Sequence, residues 1–209
     1  MIATILVLLC TFLILVFAEY LSRYRGVHSE LTRKFVHMAV GTFVAFWPFF
    51  MSWGNIQLLS LAFFVVVSMS LKFNIFRSIH AVDRNMVGEM LFAAVIGVLA
   101  LISTSQWIFM AAMLHLSLGD GLAAIVGLGW GDKNQYKIWG STKSRVGTIA
   151  FAVTSVIITI IYVIGSGNGG IAVVVLLPLL ATLAENLAVR GTDNLVMPLL
   201  VAFVLASGR

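Results

Sequence analysis

The chain has 209 residues, of which 61% are hydrophobic and only 10% charged, with a mean hydropathy of +1.07. A soluble domain carries about 25% charged residues, so the composition excludes a separate water-soluble domain and implies one integral membrane domain over 1–209. A net charge of +5 would suggest nucleic acid in a soluble protein; here it reflects topology, because Lys and Arg favour cytoplasmic loops, and no nucleic-acid partner is expected.

In chain order, uncharged runs cover 1–18, 38–71, 90–119, 146–184 and 194–208. A spanning helix needs about 20 apolar residues. The first run lacks the basic leading region of a secretory signal and is read as a retained span; it holds the single cysteine, Cys10, so no intramolecular disulfide forms. The three middle runs are long enough for two spans each, and each carries a turn composition near its middle: PFFMSWGN at 48–55, STS at 103–105 and GSGNGG at 165–170. The last run is the shortest. The expected architecture is therefore an all-α polytopic bundle of about eight transmembrane helices.

Charge placement tests that count independently. Arg23, Arg25, Arg33 and Lys34 fall in the first loop, Lys72, Arg77 and Arg84 in the third, Lys133, Lys137, Lys143 and Arg145 in the fifth, and Arg190 in the seventh. Twelve of the 13 basic residues thus lie in odd-numbered loops, and only the terminal Arg209 lies elsewhere. By the positive-inside rule these loops are cytoplasmic and both termini are outside. Within the third loop, Phe73, Phe76 and Ile79 recur every third residue among charges, which suits a short helix lying in the interface over 72–89.

Ionisable groups inside a membrane are costly and mark function. Asp120 interrupts the fifth helix between Gly119 and Gly121, roughly two turns from its cytoplasmic end. Glu185 lies about one turn before the cytoplasmic end of the seventh helix, Asp193 opens the eighth, and Glu19 ends the first at the same level. Alternative structural roles are an interhelical pair for Asp120, a snorkelling position for Glu185 and a helix cap for Asp193. His115 is expected to hydrogen-bond a neighbouring helix. A transporter site would be expected near the midplane; carboxylates gathered at one leaflet suit chemistry between a soluble anion and a lipid headgroup. After Asp120, Gly127, Gly129 and Gly131 alternate as GLGWG, whose amides are expected to cradle an oxyanion. STKSRVGT (141–148) then supplies Lys143, Arg145 and hydroxyls. Carboxylates that hold Mg²⁺, with cations and amides that neutralise phosphate, are the parts phosphoryl transfer needs.

LGDGLAAIVG (118–127) followed by KSRVGTIAF (143–151) resembles the signature of the CTP-dependent lipid kinases, the family of dolichol kinase, phytol kinase and yeast-type diacylglycerol kinase. Its early RKxxH element is similar to RKFVH (33–37), and its final acidic helix with DNLxxP is similar to Glu185 with DNLVMP (193–198). The resemblance runs from residue 33 to 198 in order, and the chain resembles a minimal catalytic core. It implies a kinase that uses CTP and Mg²⁺ to phosphorylate a lipid alcohol of the polyprenol, dolichol or phytol type at the cytoplasmic face. It further implies catalytic roles for Asp120, Lys143, Glu185 and Asp193, with Asp120, Glu185 and Asp193 as metal ligands or as groups that position the attacking hydroxyl. CTP would be bound through Lys143, Ser144, Gly147 and Thr148, together with Gly127, Arg33, Lys34, His37 and Asn194. Diacylglycerol phosphorylation in the same family, CDP-lipid synthesis and transport are the alternatives; the long cytidylyltransferase signature is absent, and no inverted repeat is visible.

Overall fold

The computed structural model describes residues 2–24, 29–73, 86–139, 141–188 and 191–208. Among these the chain forms eight helices and one hairpin: α1 (Ile2–Tyr24), α2 (Ser29–Ala45), α3 (Trp53–Phe73), α4 (Met86–Ile102), α5 (Gln106–Trp130), β1 (Gln135–Ile138), β2 (Ser141–Ser144), α6 (Arg145–Ser166), α7 (Ile171–Leu187) and α8 (Asp193–Ser207). The all-α class and the eight helices follow the hydropathy runs, and each uncharged breaker separates two helices. Ser105 caps α5 by accepting a hydrogen bond from the Ile108 amide at 3.3 Å. Gly167 ends α6 in the left-handed conformation at φ 67°, the usual glycine stop. Most of the interface segment expected over 72–89, with Arg77 and Arg84, lies outside the described residues, as does Arg190.

α5 is the axis of the bundle: 78% of an 18-residue apolar stretch of it is buried, against 28% for the corresponding stretch of α3 and 33% for that of α6. α2, α6 and α8 pack directly on it, α3 pairs with α4, and α6 pairs with α7. The outward faces of the peripheral helices carry bare aliphatic side chains such as Leu58, Leu61, Ile157 and Ile164. Continuous exposed apolar surface of this kind belongs against a membrane. Trp53–Ser70, Gln106–Trp130 and Arg145–Ser166 are long and apolar enough to cross one, whereas Gly88–Ile102, Ile171–Leu187 and Asp193–Ser207 are shorter apolar helices.

Two features depart from the sequence reading. The polar stretch after α5 is not an open loop: β1 and β2 pair antiparallel, with Gln135 opposite Ser144 and Ile138 opposite Ser141. α5 itself is interrupted by a π turn over His115–Gly119 and then continues to Trp130. Asp120 therefore lies ten residues from the end of α5, nearly three turns rather than about two.

Candidate active site

At the end of the bundle where α5 gives way to the hairpin, a cavity of about 400 Å³ opens. Asp120 and Gly127 of α5, Lys143 and Ser144 of β2, Gly147 and Thr148 of α6, and Glu185 of α7 all line it. These residues span 66 positions of sequence, from Asp120 to Glu185, and the hairpin brings them together. It reverses the chain between α5 and α6, so that α6 starts beside the helix just left.

The first turn of α6 is built to face an anion. Ser144 is its N-cap and accepts from the Gly147 amide at 3.2 Å. The Val146 amide donates to Asn134 Oδ1 at 3.5 Å; the first-turn amides have no intrahelical acceptor, and the helix dipole places partial positive charge there. A helix N-terminus of this kind favours phosphate. Gly147 allows the close crossing: a Cβ there would lie 2.8 Å from the Ala123 carbonyl oxygen, and Gly127 lies just behind. Gly127, Gly129 and Gly131 do not form the expected oxyanion cradle. Gly127 and Gly129 are helical and the Gly131 amide bonds to the Gly127 carbonyl at 2.9 Å, so their amides are already engaged. Gly127 lines the cavity through its lack of a side chain.

Two buried ion pairs set the electrostatics. Lys34 Nζ donates to Asp120 Oδ2 at 2.6 Å. Lys143 Nζ donates to Glu185 Oε1 and, at 2.8 Å, to the Glu185 main-chain carbonyl. Asp120 is 7% exposed, Lys34 8% and Glu185 5%; charges so far from water persist only when paired. His37 Nε2 lies 2.9 Å from the Leu116 carbonyl oxygen and 3.6 Å from Asp120 Oδ2. RKFVH thus serves Asp120 through Lys34 and His37, while Arg33 is half-buried beside them and does not line the cavity. Gly119 and Gly121, on either side of Asp120, admit Phe151 and Met38, whose side chains fill the space a Cβ would take.

Asp193 and Asn194, at the start of α8, do not line the cavity. Asn194 Nδ2 donates to the Gly88 carbonyl at 2.7 Å and ties α8 to α4. Asp193 does not cap the helix: the N-cap position is Thr192. It lies within electrostatic reach of Asp120, Lys34 and Lys143, and its Oδ1 is buried without a hydrogen-bond partner. Among the described residues no three histidine, cysteine or carboxylate side chains converge as a ready-made metal site. Mg²⁺ rarely needs one, being held by one or two carboxylates together with substrate phosphates. Asp120, Glu185 and Asp193 act on one another electrostatically, and the orphaned Asp193 oxygen is a hard donor, so the residues present fit that ion.

Sequence reading missed four residues. Gln135 and Thr142 line the cavity from the hairpin. The Tyr136 hydroxyl donates to Asn186 Oδ1 and contacts Thr148 Oγ1, and Thr148 itself donates to Asn186 at 3.3 Å. This cluster fastens the hairpin to α6 and α7. Thr142 and Asn186 adjoin selected residues in sequence, but Gln135 and Tyr136 become visible only once the hairpin is formed. As expected, His115 bonds a neighbouring helix: its Nε2 meets Ser155 Oγ of α6 at 2.8 Å.

The chain is similar to a phytol kinase of Synechocystis sp., at 34% identity over 203 residues, covering 91% of this chain and 84% of that one. No family profile matches it, and no solved structure matches it.

Proposed function

We propose, on the premise that the chain belongs to the phytol kinase family of lipid kinases, that it transfers the terminal phosphoryl group of CTP to the hydroxyl of an isoprenoid or similar membrane alcohol. The transfer takes place at the cytoplasmic face and uses Mg²⁺. The eight helices cross the bilayer with both termini outside, and the cavity opens toward the basic, odd-numbered connections. The observation that carries the reading is the cavity in which Asp120, Lys143, Glu185 and the first turn of α6 meet.

The chemistry asks the protein for positioning and charge neutralisation. Phosphate oxygens settle at the positive end of the α6 dipole, with Ser144 and Thr148 alongside and Lys143 adding its charge. Lys143 is already at the cavity wall, held by Glu185, and exchanges part of that pairing for phosphate. The freed Glu185 carboxylate and Asp120 then face the anion together. Carboxylates drawn from Asp120, Glu185 and Asp193 would hold Mg²⁺ brought with the nucleotide, which would neutralise charge on the phosphates. Asp120 lies deepest in the bundle, where a hydroxyl carried by a membrane lipid arrives, and it orients that hydroxyl against the transferred group.

The test incubates purified protein with γ-labelled CTP or ATP and phytol, longer prenols or diacylglycerol. Label on a prenol-type alcohol from CTP, with CDP as the second product, supports the reading. A cytidylylated lipid with pyrophosphate, or no labelled lipid with any alcohol, overturns it.

A further inference from the structure

Asp120 follows immediately on the π turn of α5. An α-helix advances about 100° per residue, and a π turn accommodates one extra residue in the helical path. If it relaxed to a regular α-helix, Asp120 would swing by about that angle, away from Lys34 and the cavity. What keeps the turn in place therefore decides where the carboxylate points.

The turn is clamped from both sides. On α2, His37 bonds the Leu116 carbonyl at 2.9 Å. Gly41 brings that helix so close that a Cβ would lie 2.5 Å from Ser117 Cβ. On α6, Ser155 Oγ lies 2.8 Å from His115 Nε2, and both side chains are fully buried. The other imidazole nitrogen, Nδ1, lies 2.7 Å from the Ala111 carbonyl oxygen, one turn back along α5. A carbonyl only accepts, so in the neutral ring Nδ1 carries the proton and Nε2 accepts from the Ser155 hydroxyl. Every polar atom of the pair is thereby used. Ser155 stands on the same buried stripe of α6 as Gly147 and Phe151, so one bond links the π turn to the helix whose first turn faces the phosphate cavity.

We propose that His115 and Ser155 are positioning residues for phosphoryl transfer: their hydrogen bond holds the π turn, and so sets Asp120 in register with the anion-binding first turn of α6. π turns recur at functional positions in helices, and a displacement of about 1 Å in a reacting group can cost about a hundredfold in rate. The catalytic consequence rests on the kinase reading; the hold on the π turn does not.

The experiment therefore measures both. Ser155→Ala removes the donor, and Ser155→Thr retains it. Hydrogen exchange at the amides of residues 116–121 is followed in detergent alongside turnover and melting temperature. With Ser155→Ala, exchange in this segment should rise tenfold or more, and kcat should fall about ten- to a hundredfold. The nucleotide KM should stay within about twofold, and Ser155→Thr should restore both. If Ser155→Ala does not fold, Ser155→Cys, similar in size and a weaker donor, takes its place in the comparison. Unchanged exchange over 116–121 in a folded variant overturns the proposal, as does a fall in turnover that merely tracks the folded fraction. A wild-type protein that phosphorylates no alcohol, yet shows the exchange difference, overturns the kinase reading and leaves the helix lock standing.

Discussion

Asp120 is a carboxylate nearly three turns inside a buried helix, and Lys34 is what makes it tolerable there. The pairing changes how the residue must be tested. Asp120→Asn alone removes the charge but strands the buried Lys34, and breaking a buried pair from one side costs about 3–5 kcal/mol. The single variant should therefore lose both melting temperature and turnover. Asp120→Asn combined with Lys34→Met removes both charges: stability should largely return, while turnover stays down by at least about a hundredfold. Recovery of turnover along with stability would make Asp120 scaffold only. Lys143 reports on the other pair. Lys143→Ala should raise the nucleotide KM and lower kcat, since charge on the transferring group is neutralised in both ground and transition states; steady-state kinetics with unchanged nucleotide dependence would remove it from the site. Both acids were legible in the sequence because a lone charge in apolar surroundings is conspicuous. Their lysine partners were legible as basic residues, but the pairing was not, because Lys34 and Asp120 stand 86 positions apart.

The elements tell the same story one scale up. Helices were legible because uncharged runs and their breakers are local signals. The β1–β2 hairpin was not, since four-residue strands such as QYKI and STKS carry too little alternation to stand out from a polar loop. The π turn leaves no mark in composition at all; it is stabilised by partners on α2 and α6. The GLGWG glycines were legible as unusual, but their purpose was misjudged. Two alanine substitutions separate packing from anion binding. Gly147→Ala places a Cβ 2.8 Å from the Ala123 carbonyl oxygen, a backbone atom that cannot step aside. It should cost about 1–3 kcal/mol, seen as a lower melting temperature, and should raise the nucleotide KM by spreading α5 from α6. A Cβ on Gly129 meets nothing within 4 Å, and alanine is favoured over glycine inside a helix by about 1 kcal/mol, so Gly129→Ala should leave activity intact and stability equal or higher. A Gly129→Ala variant with weakened nucleotide binding would return these glycines to the phosphate site.

At the scale of the whole molecule, the direction of the bundle decides whether the cavity meets a cytosolic nucleotide. The short connections at 46–52, 103–105 and 167–170 contain no charge, whereas the cavity opens at the opposite end, beside Lys133, Lys137 and Arg145. Lys and Arg near span ends set orientation through the positive-inside rule, and twelve of the 13 basic residues lie in the odd-numbered connections or in the helix turns that flank them. Single reporters test this once the exposed native thiol is removed by Cys10→Ser. Ser52 and Asn168 are suitable positions for cysteine in two of the uncharged connections. Thr104 serves the third better than Ser105, whose hydroxyl caps α5. Ser141, at the start of β2, reports the hairpin end. In intact cells an impermeant maleimide should label cysteines at 52, 104 and 168 and spare 141, with 141 becoming reactive only after permeabilisation. Labelling of 141 from outside would invert the bundle, place the cavity away from the cytosolic nucleotide pool, and remove the physical basis for reading Asp120 as the meeting point of a soluble phosphate and a membrane alcohol.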